Sequence, residues 1–64
     1  MEYKQLKFYD FGNCVAMELF INKSKKVGVR AYCTQTGGVY DCRFFPTMEM
    51  AESFFERQKK EGLA

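Results

Sequence analysis

The sequence contains no histidine and no tryptophan, and it has a single proline. Histidine is the commonest general base and the commonest metal ligand in proteins, so its absence removes both roles at once. The chain also has no glycine-rich phosphate loop and no Cys-x-x-Cys pair. We therefore predict that the protein is not an enzyme. We expect no cofactor, no metal and no small-molecule substrate.

Long apolar runs are absent as well, and none approaches the roughly 20 residues that a membrane-spanning helix needs. The first ten residues, MEYKQLKFYD, lack the basic and then apolar pattern of a signal peptide. The three cysteines are an odd number, whereas small secreted domains usually carry an even set of disulfide-bonded cysteines. We accordingly expect a cytoplasmic protein that does not act at a membrane.

What the sequence does contain is typical of a folded domain, with 47% hydrophobic and 28% charged residues. Its 64 residues suffice for one domain, in which only about 60% of the unfolded chain's surface becomes buried. The net charge of +2 neither requires nor excludes an anionic partner. The aromatic fraction is high, at 17%, and consists of seven phenylalanines and four tyrosines.

Alternating apolar residues and intervening turn signals predict four strands. The expected strands cover residues 3–11, 14–22, 27–36 and 39–45. Gly12-Asn13 and Gly37-Gly38 are interpreted as two-residue hairpin turns, and the polar segment 22–26 as a loop. Short turns between neighbouring strands indicate an antiparallel meander.

The segment after Pro46 has the spacing of an amphipathic helix, expected over residues 48–61. Thr47 is a favourable N-cap, Glu49 suits the positive end of the helix dipole, and Gly62 is a natural stop. The predicted fold is therefore an α+β domain. It comprises a four-stranded antiparallel β-meander with one C-terminal α-helix packed on one face.

The turns also predict how the strands align. They place Phe8 opposite Met17, Met17 opposite Ala31, and Cys33 opposite Cys42. In this alignment the helix-covered face is almost wholly apolar, and a slip by one residue would reverse each strand. The alignment therefore predicts which side chains remain on the uncovered face.

Cys33 and Cys42 allow three interpretations. Two small buried thiols are the simplest, because cysteine is among the most frequently buried residues. A cross-strand disulfide is the second, since the aligned Cα atoms would lie about 4.5 Å apart. A metal site is the third, but Cys14 is expected on the opposite face and no histidine can complete a set of four ligands.

The face that the helix does not cover is expected to carry aromatic and basic side chains together. The residues predicted to bind a partner there are Lys7, Tyr9, Phe20, Arg30, Tyr32, Arg43 and Phe45. Such a surface suits contact with another protein, either a second copy of the chain or a target that it regulates or inhibits. Nucleic acid is the alternative partner, because bases stack on aromatic rings while cations meet phosphates. Aromatic residues also stabilise sheets without any ligand.

Overall fold

A computed structural model describes residues 3–62 of the chain. The elements are β1 (Tyr3–Gly12), β2 (Val15–Asn22), β3 (Val27–Cys33), β4 (Val39–Phe45) and α1 (Met48–Glu61). The strands form one antiparallel sheet in the order β1-β2-β3-β4, and α1 packs against one of its faces. The predicted α+β fold, four strands followed by one C-terminal helix, is confirmed.

The hydrophobic core lies between the sheet and the helix. Its buried members are Met17, Leu19, Val27, Val29, Ala51 and Phe55. Side chains that point to one face of a strand are two residues apart, which is why β2 and β3 each contribute alternate residues. Within residues 3–62, no helix is long and apolar enough to cross a membrane.

Helix α1 begins and ends at the expected signals. Thr47 has an extended backbone, and its side-chain oxygen accepts a hydrogen bond from the Met50 N–H at 3.2 Å. At the other end, the Gly62 N–H donates to the Gln58 carbonyl at 2.7 Å. Gly62 has φ +80°, a left-handed conformation that glycine adopts without a steric penalty.

The alignment of β2 with β3 agrees with the sequence prediction along the whole pair. Val15 lies opposite Cys33, Met17 lies opposite Ala31, and Ile21 lies opposite Val27. These pairs bring apolar side chains together on the helix-covered face. A single apolar pattern shared by both strands therefore determines their alignment.

The alignment of β1 with β2 differs from the prediction because β1 contains a bulge at Leu6. Gln5 lies opposite Phe20 as expected, but the next aligned pair is Lys7 with Leu19. The extra residue shifts residues 7–10 by one position, so that Tyr9, and not Phe8, lies opposite Met17, and a second bulge at Phe11 shifts Gly12 by one more. The first turn is also displaced by one residue.

That first turn consists of Asn13 and Cys14, between Gly12 and Val15. Both turn residues have positive φ, 52° and 64°, as expected for a type I′ hairpin turn. The prediction of a Gly12-Asn13 turn was therefore wrong by one position.

The alignment of β3 with β4 was also wrong, because the hairpin loop is longer than two residues. The Cys33 N–H donates to the Gly38 carbonyl and the Gly37 N–H donates to the Cys33 carbonyl, both at 2.8 Å. The loop therefore spans residues 34–37, with Gly37 at φ +80°. Tyr40 is an extra residue in β4, after which Arg30 lies opposite Cys42.

This alignment removes the geometric basis for a disulfide between Cys33 and Cys42. Cys33 lies across from Val15 on the helix-covered face, whereas Cys42 lies across from Arg30 on the other face. Cys14, Cys33 and Cys42 are all free thiols. The cross-strand disulfide was inferred from a two-residue turn that the chain does not form.

Candidate functional site

The sheet face that points away from α1, called the helix-free face below, is built by alternate residues of all four strands. Its side chains larger than alanine are those of Tyr3, Gln5, Phe8, Asp10, Glu18, Phe20, Asn22, Arg30, Tyr32, Val39, Cys42 and Phe44. Of the residues predicted to bind a partner, Phe20, Arg30 and Tyr32 lie on this face.

The other four predicted residues lie on the side of the helix, and their assignment to the helix-free face was wrong. Lys7 Nζ is 3.5 Å from a carboxylate oxygen of Glu56, a helix residue. Tyr9 lies beneath Lys59, with 5.4 Å between Nζ and the ring centroid. The bulge at Leu6 reversed the orientation of both β1 residues.

Arg43 and Phe45 were reversed by the longer β3–β4 loop. The Arg43 guanidinium is 5.5 Å from the centroid of the Phe54 ring, and the Phe45 ring is 5.2 Å from the same centroid. Both residues thus pack against α1. Cys42 lies opposite Arg30, where Phe45 was expected, and Phe44 lies on the helix-free face opposite Gly28.

Glu18 occupies the middle of the helix-free face, and its side chain is only 1% exposed. One carboxylate oxygen accepts a hydrogen bond from Gln5 Nε2 at 2.8 Å, and the other accepts from Arg30 Nη2. A buried carboxylate without partners would be strongly destabilising, so these two donors account for its position. The pair is electrically neutral as a unit.

Arg30 is held above the sheet by aromatic rings as well as by Glu18. Its guanidinium carbon is 5.0 Å from the Tyr3 ring centroid, 5.4 Å from that of Phe20 and 5.8 Å from that of Tyr32. Nη2 also donates to the Tyr3 hydroxyl at 3.0 Å. Nε is buried and has no partner among the described residues, although 28% of the side chain is exposed.

The surroundings of this cluster shift two pKa values. Burial acts to lower the pKa of Arg30, but the hydrogen bond and the negative charge of Glu18 outweigh it and raise that pKa. Burial, followed by the charge of Glu18, raises the pKa of Tyr32. The cation and the neutral phenol are therefore both secured near neutral pH.

Phe20 supports the cluster from one side. Its ring meets those of Tyr3 and Phe44 edge to face, with centroid distances of 5.4 and 5.8 Å. Gly28 lies directly across from Phe20, and a Cβ atom at Gly28 would be only 2.8 Å from the ring. The glycine thus gives the ring the space to lie flat across β3.

Apolar side chains surround the cluster and remain open to solvent. Phe8 is 50% exposed, Val39 53% and Phe44 54%. Phe8 and Phe44 were not predicted on this face because the alignment expected for their strands put them on the other one, and no sequence pattern distinguished Tyr3. An exposed aromatic pair flanking a buried ion pair is unusual for a surface that contacts only water.

A second chemical feature lies at one end of the sheet, on the helix side, where Cys33 precedes the β3–β4 loop. Hydrogen bonds from the Thr36 side chain and from the backbone N–H groups of Thr36 and Gln35 lower the pKa of Cys33 to about 7. The bond with Cys33 in turn raises the pKa of Tyr40. Among residues 3–62, no group of three or more potential ligands could hold a metal ion.

No protein-family model matches this chain, and no curated protein or solved structure matches it either.

Proposed function

We propose that the protein is a non-catalytic binding module that docks a partner protein on its helix-free face, in a regulatory or inhibitory role. The observation that carries this proposal is the ring of half-exposed apolar side chains, Phe8, Val39 and Phe44, around the Glu18–Arg30 pair. Protein interfaces typically combine an apolar centre with aromatic and arginine anchors.

Phe8 and Phe44 are suitable anchors because each already has about half of its surface in contact with the sheet. A partner that covers the remaining half gains the hydrophobic free energy without ordering a mobile side chain. Phe44 is further held edge to face against Phe20. The partner surface expected to match is therefore apolar.

The Glu18–Arg30 pair restricts which partner proteins can cover this surface. Arg30 is fixed in position by Glu18 and Tyr3, yet part of its side chain is open to solvent. A partner that covers the face without offering an acceptor to Arg30 would leave the guanidinium incompletely solvated, which is unfavourable. We therefore expect the matching partner to place an acceptor near Arg30.

Nucleic-acid binding has less support on this face. Of the three cations that the prediction assigned to it, Lys7 and Arg43 lie on the helix side, and Arg30 is paired with Glu18. A single-stranded nucleic-acid platform needs free cations beside the stacking rings. Recovery of nucleic acid with the protein would therefore count against a partner protein.

The test compares three immobilised proteins as bait in a lysate of the source organism: the wild type, a Phe8→Ala/Phe44→Ala variant and a Met50→Ala control. Met50 is also 50% exposed but lies on α1, away from the helix-free face. We expect one partner protein to be retained by the wild type and by the control and lost with the double variant. Its retention should change little with added salt, because apolar contacts are weakly screened.

Two results would contradict the proposal. One is equal retention of the partner by the double variant, which would move the interface elsewhere. The other is recovery of nucleic acid alone, released steeply by salt, which would favour the alternative partner. Amide NMR spectra of all three proteins, with dispersed signals, verify that the substitutions leave the fold intact.

A further inference from the structure

Strand β4 forms one edge of the sheet, and within residues 3–62 no other strand pairs with its outer side. Almost the whole strand is exposed. An edge strand presents unpaired backbone N–H and C=O groups, and proteins usually protect such edges with bulges, lysines or prolines. The two edges of this sheet differ in that protection.

Strand β1, at the opposite edge, is well protected. Bulges interrupt it near Leu6 and Phe11, and it carries Lys4 and Lys7. The segment 41–45 of β4 has none of these devices, since its only irregularity lies before it at Tyr40. It is a regular edge of five residues, and its two exposed charges, Asp41 and Arg43, have opposite signs.

The hydrogen bonds of β3 show which backbone groups of this edge are free. The Cys33 N–H bonds toward β4 and the Thr34 N–H bonds toward β2, at 2.8 and 3.0 Å. Because these directions alternate along a strand, Ala31 and Val29 bond to Asp41 and Arg43, their partners on β4. The N–H and C=O groups of Cys42 and Phe44 therefore point outward.

We propose that this edge pairs with β4 of a second copy of the chain, antiparallel and with Cys42 opposite its symmetry mate. In this alignment Asp41 of each copy lies opposite Arg43 of the other. Asp41 and Arg43 are both exposed, and within one strand Arg43 Nε is 3.1 Å from Asp41 Oδ2. The dimer would therefore join two such ion pairs into a group of four charges of alternating sign. Opposite charges directly across a strand pair are favourable.

Charge also excludes the neighbouring alignments. The outward-pointing backbone groups allow the strands to slide only by two residues at a time. A slide in one direction puts Arg43 opposite Arg43, and a slide in the other puts Asp41 opposite Asp41. Among these antiparallel alignments, only the one centred on Cys42 places both residues opposite an opposite charge.

The dimer axis would be perpendicular to the sheet, because paired residues keep their faces. Two four-stranded sheets would join into one of eight strands, with both helices on the same side. The two helix-free faces would then lie side by side as one surface. This inference does not rest on the proposed function, since the edge of β4 could pair whether or not the helix-free face binds a partner.

The contact is small, at the low end of specific interfaces, so the dimer should dissociate on dilution. We would measure the mass by sedimentation from about 10 μM to about 1 mM, a range that covers weak association. The wild type should approach twice its 7.5 kDa mass at the upper end.

The decisive samples are Asp41→Arg and Arg43→Asp, separately and as an equimolar mixture. Each variant alone opposes like charges across the axis and should stay monomeric. In the mixture, two arginines of one chain face two aspartates of the other, so a heterodimer should form. The formal net charges become +4 and 0 from +2 in the wild type, so the mixture gains nothing from opposite net charges.

Three results would each overturn the proposal. They are a wild type that stays monomeric throughout, single variants that dimerise like the wild type, and a mixture that stays monomeric. Pairing of β4 with an extended segment of another protein would give the first of these. Amide spectra of the single variants provide the control for folding, and little loss of stability is expected because this ion pair is exposed.

A further variant separates this inference from the proposed function. Phe8→Ala alters the helix-free face on β1, the strand farthest from the edge of β4. It should leave the dimer mass unchanged. If it makes the protein monomeric, the dimer is formed by the helix-free face, and the β4 proposal fails while the docking face stands.

Discussion

At the scale of single residues, Glu18 and Arg30 form the most consequential pair, because a carboxylate is buried on a face that no helix covers. The two side chains and their neighbours on β1 and β3 create a small polar centre beside the exposed apolar side chains of this face. The effect of each side chain on the free energy of unfolding depends on whether the other is present. Removing one charge therefore has a different effect from removing both.

We predict that Arg30→Met lowers the free energy of unfolding by about 3–5 kcal/mol, because Glu18 is left as an uncompensated buried charge. Replacing both residues, as Glu18→Leu/Arg30→Met, should recover most of that loss. Urea denaturation of the two variants and the wild type measures the difference. A double variant that is no more stable than Arg30→Met alone would contradict this expectation.

A second prediction concerns Cys33, whose pKa of about 7 leaves the thiol partly ionised near neutral pH. In a Cys14→Ser/Cys42→Ser background, the rate of alkylation by iodoacetamide should rise with a midpoint near pH 7. Thr36→Val removes the hydroxyl donor, the largest cause of the shift, and should move that midpoint upward. An unchanged midpoint would rule out the Thr36 hydroxyl as the main cause.

The same shift has a consequence for stability. The pKa is lowered from an ordinary value of 9.0, so the folded state favours the thiolate. The stabilisation is fully present above pH 9 and is lost as the pH falls through about 7. Denaturation of the Cys14→Ser/Cys42→Ser background at these two pH values, with Thr36→Val as reference, measures this contribution.

At the scale of elements, the strands differ in how well their alignment could be predicted from the sequence. The alignment of β2 with β3 was predictable because every pair on the core side matches apolar with apolar. No sequence signal marks Leu6 as a bulge, and beyond it aromatic residues lie on both faces of β1, with Phe8 on one and Tyr9 on the other. The alternation before the bulge was therefore extended too far.

Strand β4 was reversed for a different reason. Its sequence places Tyr40, Cys42 and Phe44 on one face and Asp41, Arg43 and Phe45 on the other, and either set can face a helix. Gly37-Gly38 fits a two-residue turn as well as the end of a longer loop. Only the packing of Arg43 and Phe45 on Phe54 distinguishes the two orientations, and that contact is between elements.

Helix α1 was predicted from its ends, and its N-cap provides a test at this scale. Thr47→Ala removes the oxygen that accepts the Met50 N–H, and we expect a loss of about 1 kcal/mol. Thr47→Asp should retain the stability of the wild type, since it keeps an acceptor at the same position. Thermal unfolding followed by circular dichroism compares the three proteins, and equal midpoints for all of them would contradict the capping role.

At the scale of the whole molecule, stability depends on a very small core. A 64-residue domain is expected to have a total stability of about 3–10 kcal/mol. Phe55 is one of the largest fully buried side chains, and α1 contributes only it and Ala51 as buried residues. The attachment of the helix therefore relies on very few contacts.

We predict that Phe55→Ala costs about 3–5 kcal/mol and leaves much of the chain unfolded at 25 °C. Phe8→Ala, which removes the same atoms from a half-exposed position, should cost about 1 kcal/mol or less. Chemical denaturation compares the two. Similar losses would indicate that the helix-free face contributes as much to folding as the core does.

Leu6 has no partner on β2, and its presence reverses the parity of the strand. On its N-terminal side the odd-numbered residues Tyr3 and Gln5 face Arg30 and Glu18, whereas beyond it the odd-numbered Lys7 and Tyr9 face the helix. If Leu6 instead paired regularly with β2, without the bulge, Tyr3 and Gln5 would turn to the side of the helix. The ion pair would then lose its hydroxyl and amide partners, although none of the four residues had been mutated.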